Sequence, residues 1–224
     1  MNKVLSFIHL DFITVKPYLN LKNLCIFAGV ALFMLVVNSS AGGAIGLVMA
    51  FAAIYASYPF AIGEKSNIDV LYTTLSISRN TVVLGRYLFA LSLDILAGLS
   101  TFVLSFLVLT VMQKGFVAIQ ALSTIPVMFF VFSVIQAVQL PVYFSLSYAK
   151  AKVIAYTPLI VMSSAILLAS NFINDALFLD KTVGLINWLA ANFMATLVLG
   201  VVFWLIIMFV SYKVSVLLYR KRDF

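Results

Sequence analysis

Between residues 82 and 112 the chain carries only two charged side chains, Arg86 and Asp94. A helix rising 1.5 Å per residue over that stretch is longer than the roughly 30 Å hydrocarbon core of a bilayer. Comparable apolar runs recur at residues 21–40, 41–62, 122–147, 153–172 and 188–218. With 64% hydrophobic residues, 9% charged residues and a mean hydropathy of +1.16 over 224 residues, the composition excludes an ordinary soluble domain. The expected fold is all-α: a polytopic membrane protein with six transmembrane helices and an N-terminal interfacial helix within residues 1–20. Six spans of about 20 residues leave no room for a soluble catalytic domain.

The first run is the shortest, because its apolar core covers only residues 24–37. It is followed by Ser39-Ser40-Ala41-Gly42-Gly43, which fits a tight helical hairpin. Orientation follows from the cations, because Lys and Arg collect on the cytoplasmic side. With six spans and an inside start, twelve of the 14 Lys and Arg residues fall inside, and only Lys114 and Lys181 fall outside. Both termini are therefore expected in the cytoplasm, and the net charge of +7 points to anionic lipid rather than nucleic acid. The first 20 residues hold Lys3, His9, Asp11 and Lys16 without an unbroken apolar core, so no removable signal peptide is expected.

Two stretches are amphipathic. In the first, Leu5, Ile8, Phe12 and Val15 recur at helical spacing, which predicts a helix lying flat in the inner interface with that stripe in the lipid. In the second, residues 64–79, Ile68, Leu71, Tyr72 and Leu75 form one stripe. It follows a polar start of Glu64, Lys65, Ser66, Asn67 and Asp69, whose acids suit a helix N-terminus.

None of the ten glycines is followed by lysine, so the chain lacks a phosphate-cradling Gly-Lys-Ser/Thr loop. No ATP hydrolysis is expected from it. The single histidine, His9, lies outside the spans, so neither a Ser-His site nor a His-ligated metal centre is expected, and no catalytic residue or metal ligand is assigned. One cysteine, Cys25, excludes an internal disulfide.

Asp94 stands out, because a carboxylate at bilayer depth costs at least about 2.5–3.5 kcal/mol to insert. Two roles fit it: a polar intersubunit or translocation surface, and a structural hydrogen bond to another helix. Tyr55 and Tyr58, Gln136 and Gln139, and Asn171 fit either a path lining or the polar contacts that bridge helices in lipid.

The string Glu64-Lys65-Ser66-Asn67-Ile68-Asp69 through Ser78-Arg79 to Arg86-Tyr87 resembles the small ABC-2 type permeases of bacterial ABC exporters. In these an acid and a lysine follow the second span, a Leu-rich stretch ends in Leu-Pro-x-Ser-Arg, and a basic-Tyr pair opens the third span. Here Ser76 replaces the proline. Within that family, the passage from Tyr58 to Lys65 is most similar to the shorter permeases of staphylococcal exporters of phenol-soluble modulins. The resemblance implies one ABC-2 type transmembrane domain over residues 1–224 in a bacterial cell membrane. It implies ATP and Mg bound on a separate cytoplasmic ATPase, a second permease protomer, and amphipathic peptide cargo reached from membrane lipid.

The same resemblance implies that residues 64–79 are the coupling helix. Glu64, Lys65, Ile68, Asp69, Leu71, Tyr72, Leu75, Ser78 and Arg79 would meet the ATPase, with Lys150 and Lys152 as a second, smaller contact. Antibiotic or antimicrobial-peptide resistance permeases, an ion-coupled secondary transporter centred on Asp94, and a non-transporting immunity scaffold are the competing functions.

Overall fold

A computed structural model of the chain describes residues 3–18, 20–66, 68, 72, 77–172 and 191–221. Among these residues the fold is all-helical. Helix α1 runs Lys3–Val15 and continues into a 3-10 turn, Lys16–Tyr18. Helices α2, Leu21–Asn38, α3, Ala41–Tyr55, and α4, Tyr58–Lys65, follow. Then come α5, Arg79–Val111, α6, Ala118–Ser145, α7, Tyr148–Phe172, and α8, Phe193–Arg220.

Four helical stretches are long and apolar enough to cross a membrane: Ala41–Lys65, Arg79–Val111, Ala118–Ser145 and Met194–Arg220. The expected count was six. Helix α2 has 18 residues, Leu21–Asn38, and within it Cys25–Val37 is a shorter apolar helical stretch among the described residues. Helix α7 has 25 residues and ends where the described residues stop. The sixth expected span begins at residue 188, but α8 is described only from Phe193, since residues 173–190 lie outside the described set.

Helix boundaries follow local chemistry. The α2–α3 hairpin turns on Ser39, whose φ of 51° is left-handed and whose N–H bonds Leu35 O. Ser40 then caps α3 by accepting from the Gly43 N–H at 3.1 Å, a placement that satisfies one orphan donor of the first turn. Residues 41–62 are not one continuous helix. Ser57 turns its hydroxyl back onto Ile54 O at 2.7 Å, and Pro59 sits in the first turn of α4. Proline fits there because that N–H has no helical acceptor. The third expected span, 82–112, starts earlier, at Arg79, because Ser78 caps it by accepting from the Thr81 N–H at 3.2 Å.

Helix α5 is the spine, packing on α1, α2, α3, α6 and α8, while α6 touches α3, α5, α7 and α8. Small residues set how close these helices come. A methyl group at Gly42 would lie 3.3 Å from Thr124 Oγ1, one at Gly46 3.3 Å from Met128 Cε, and one at Gly98 3.0 Å from Ile125 Cγ2. Ile45, Met49, Ala53, Phe132 and Ile135 fill the contact between α3 and α6. In lipid, where apolar burial gives no drive between helices, such close van der Waals approach supplies the association.

Helix α1 packs one face against the rest of the chain. Phe7, Asp11 and Val15, one turn apart, are buried, while Leu5, Leu10 and Ile13 are exposed. Helix α1 docks on α5, and Asp11 is the residue that selects this face. The approach is closest at Gly85, where an added methyl group would overlap Phe7 Cδ1 and sit 3.1 Å from its Cγ. Gly85→Ala should therefore push α1 away and destabilise the fold by about 1–3 kcal/mol, as overpacking does. Gly29→Ala, with nothing within 4 Å of the new methyl, should leave stability unchanged or raise it by up to about 1 kcal/mol. Thermal unfolding in detergent checks both.

Candidate coupling face and the polar contacts behind it

The end of the bundle that holds Lys65, Arg79 and Arg220 gathers most of the residues expected to meet an ATPase. Glu64, in the last turn of α4, accepts a hydrogen bond from the backbone N–H of Tyr148, the first residue of α7. A carboxylate at a helix N-terminus satisfies an orphan donor and meets the positive end of the helix dipole. This contact sets the exposed pair Glu64 and Lys65 beside the start of α7, where Lys150 and Lys152 are also exposed.

The stripe expected to project from this face is partly turned inward. Tyr72 is 4% exposed, and Ile68 packs against the same core as Phe7, Tyr87 and Tyr219. The ring centroids of Phe7 and Tyr72 lie 5.1 Å apart. Asp69, Leu71 and Leu75 lie outside the described residues.

Ser78 and Arg79 serve the chain itself. Ser78 caps α5, and its hydroxyl pairs with Thr81 Oγ1 at 2.7 Å. Arg79 Nη1 donates to Tyr219 O at 3.1 Å and Arg220 O at 2.5 Å, placing a cation on the exposed carbonyls that end α8. Arg220 reciprocates, donating from Nη2 to Asn80 Oδ1 at 3.2 Å. One dipeptide thus starts the third expected span and ties down the last.

Arg86 was expected as an inside cation and as part of the Arg86-Tyr87 pair that opens the third span, and Asp11 only as a polar residue of the N-terminal helix. Instead they pair. Arg86 Nε lies 3.2 Å from Asp11 Oδ2, with the side chains 4% and 1% exposed. The guanidinium also sits 4.6 Å from the Phe60 ring centroid and 5.9 Å from that of Phe7, where ring quadrupoles favour a cation. The signal in the sequence was an acid with Phe7 and Val15 four residues to either side. Burial pushes the Asp11 carboxyl up to about 6 from its ordinary 3.8, against the opposing pull of Arg86.

Tyr87, the next residue, ties α5 to α8. Ser211 Oγ donates to Ala137 O at 2.5 Å. The Tyr87 hydroxyl therefore donates to Ser211 Oγ, also at 2.5 Å. Ser215 Oγ then donates to Tyr87 at 2.8 Å, because each hydroxyl carries one proton.

Asp94 is fully buried among the described residues. Its Oδ1 accepts from Gln136 Nε2 on α6 at 3.1 Å, while Asp94 Oδ2 and Gln136 Oε1 have no partner among the described residues. Gln139 is buried one turn away on α6, and Ser133 accepts from Trp204 Nε1 on α8 at 2.6 Å. Tyr58 stacks on Tyr18 at 5.2 Å and meets Tyr55 edge-on at 4.7 Å. Tyr55 also borders an apolar lateral groove of about 360 Å³ with Phe12, Phe27, Phe51, Leu93 and Leu96. Asn171 lies in α7, but its side chain is outside the described set. Among the described residues, no group of three His, Cys, Asp or Glu side chains converges as a metal site would.

Two outcomes follow from these contacts. Asp94→Leu leaves the Gln136 amide without its acceptor and should cost about 1–3 kcal/mol. Asp94→Asn, which keeps an acceptor oxygen, should stay near wild type. The double change Asp94→Leu with Gln136→Leu should cost less than the sum of its parts, in a cycle read by unfolding in mixed micelles.

For Asp11 the folded chain holds a proton between pH 3.8 and about 6 that the unfolded chain has released. Its contribution to stability is therefore largest below that window, falls as pH rises through it, and is level above. The difference in melting temperature between wild type and Asp11→Asn, followed from pH 4 to pH 8, should show that fall.

Comparison with known proteins places this geometry. No curated protein and no solved structure matches the chain. The family described as ABC-2 family transporter protein matches residues 6–220, from the buried face of α1 to the end of α8 that Arg79 caps. With a match of that extent over a bundle of membrane-length helices, the chain belongs to the ABC-2 family transporter proteins, as a multi-pass membrane component of a transporter.

Proposed function

We propose that the chain is the permease subunit of an ATP-driven bacterial ABC exporter, gripped at the Lys65/Arg79 end by a separate cytoplasmic ATPase that binds ATP and Mg. The observation that carries this reading is the convergence of the α4 end and the α7 start through Glu64 and the Tyr148 N–H. It presents Lys65, Lys150 and Lys152 together in a chain whose family match spans residues 6–220. Two loops far apart in sequence then form one surface for a soluble partner. Because Ile68 and Tyr72 are packed inward, the grip falls first on the polar start of this segment, Glu64 to Ser66.

The finer reading rests on charge and resemblance. Six spans with both termini in the cytoplasm place twelve of the 14 cations on the side where they resist translocation. A second permease protomer, identical or related, completes the path between two ATPase-driven halves. The passage from Tyr58 to Lys65 supports amphipathic cytolytic peptides, such as phenol-soluble modulins, as cargo. Such peptides already lie in the inner leaflet with their apolar faces down. The lateral groove bordered by Phe27, Phe51 and Tyr55 offers an apolar surface of matching chemistry. The ion-coupled alternative has less support, because Asp94 is closed off against Gln136.

The test is co-purification with a soluble ABC ATPase from the same cells. Lys150→Glu with Lys152→Glu should weaken that binding about tenfold, equivalent to ~1.4 kcal/mol. Leu71→Asp with Leu75→Asp should release the ATPase while leaving membrane insertion intact. Export should persist under a protonophore at constant ATP, and its collapse would favour ion coupling. Absence of any bound nucleotide-hydrolysing partner would overturn the assignment.

A further inference from the structure

A helix that merely rests on a membrane surface needs no buried charge, yet α1 spends one. Asp11 and Arg86 are 1% and 4% exposed and 3.2 Å apart. Removing Arg86 strands the Asp11 carboxylate in a low-dielectric site, and one-sided loss of a buried pair is strongly destabilising. The guanidinium does not stop at α1. Its carbon sits 4.6 Å from the Phe60 ring of α4, and a methyl group at Gly63 would lie 3.9 Å from Arg86 Nη2. Arg86 also shares a small cleft with Glu64 and Tyr148, the two residues whose contact joins the α4 end to α7. Phe7, one turn before Asp11, presses on both Gly85 and Tyr72. The charge is thus met by α1 on one side and by α4, which leads into the coupling face, on the other, with Tyr143 and Phe144 of α6 and Tyr219 of α8 completing the cleft.

We infer that Asp11, Arg86 and Phe60 form a clasp that makes α1 move with the end of α4, so that α1 transmits motion instead of serving as a passive membrane anchor. The pair is short, buried and flanked by rings, so it resists being stretched more than the exposed apolar contacts of Leu5 and Ile13 with their surroundings do. A displacement applied at Glu64–Ser66 reaches the Arg86 guanidinium through Gly63 and Phe60, and from there Asp11. Arg86 is accordingly a positioning residue for coupling. Its role in an exporter rests on the reading above, whereas the rigid link between α1 and α4 does not.

Hydrogen–deuterium exchange on the full chain, bound to its ATPase in nanodiscs, separates the two. Trapping the ATPase with Mg, ADP and vanadate should change exchange at residues 58–66 and in α1 of the wild type. In Arg86→Gln the response should survive at 58–66 and be lost in α1. The charge exchange Asp11→Arg with Arg86→Asp, which rebuilds the pair but not the Phe60 contact, should restore it only in part. Phe60→Leu, which keeps the ion pair and the fold, should weaken the α1 response.

A bulky maleimide on Lys65→Cys, in a Cys25→Ser background, makes the same comparison without an ATPase. An α1 response that is equal in Arg86→Gln, or missing in the labelled wild type, overturns the clasp. A response to the label but none to the trapped ATPase keeps the clasp and overturns the ATPase contact.

Discussion

A guanidinium inside a bundle of apolar helices has to be answered by an opposite charge, and the answer fixes much else in this chain. Arg86 is 4% exposed, and each ion taken from water at such a site costs several kcal/mol after relaxation. Only Asp11 meets it as an ion pair among the described residues. To bring that carboxylate in, α1 must lie on α5 close enough for Phe7 to occupy the space left by Gly85. The same demand draws Phe60 over the guanidinium face and so sets how α4 leaves the break at Ala56–Ser57. The end of the bundle is organised around one charge.

Deeper in the bundle the helices join in two physically different ways. Around α3, contact is through small residues: Gly42 and Gly46 admit Thr124 and Met128 of α6, and Gly98 of α5 leaves room for Met49. Toward α8, contact is through hydrogen bonds. Trp204 with Ser133, and the Tyr87, Ser211 and Ala137 chain, link α8 to α5 and α6. Each interhelical bond in lipid averages only about 0.6 kcal/mol. Their effect is on register and rotation, because a donor must face its acceptor. Asp94 with Gln136 does the same between α5 and α6. The intramembrane polar residues thus hold α5, α6 and α8 in one orientation, while α3 is held by shape.

Much of this was legible, and what was missed shares a cause. The apolar runs gave the membrane helices, Ser39-Ser40 gave the hairpin, and the acid-Lys and Ser-Arg pattern pointed to the family that matches residues 6–220. Hydropathy could not tell which face of α1 is buried, because lipid and protein interior are equally apolar. The 5/8/12/15 and 7/11/15 stripes both run along one helix, and only the partner of Asp11 decides between them. Counting cations by side likewise recorded Arg79 and Arg86 as charges to be kept out of the membrane. Their hydrogen bonds to Tyr219 O and Arg220 O, and the pairing with Asp11, join residues far apart in sequence. Asp94 was correctly singled out by its cost, but its Gln136 partner comes from another helix. The break after Tyr55 was hidden for the opposite reason: Ser57 satisfies its own helix end locally, and serine and proline inside an apolar run lower hydropathy very little.

The arrangement at the basic end also constrains how any force applied there can spread. Residues 66–78 are bounded by α4, which ends at Lys65, and by Ser78, which opens α5. From Ser78 the load passes to Arg79, whose bonds to the final carbonyls of α8 engage the far end of the chain at once. From Glu64 it passes to the Tyr148 N–H and hence to α7. Helices α4, α5, α7 and α8 are thus all engaged within one residue of this segment's boundaries, through contacts with a charged partner and definite direction. Under the exporter reading, a motor that moves Glu64 or Arg79 moves the membrane helices attached to them in the same step.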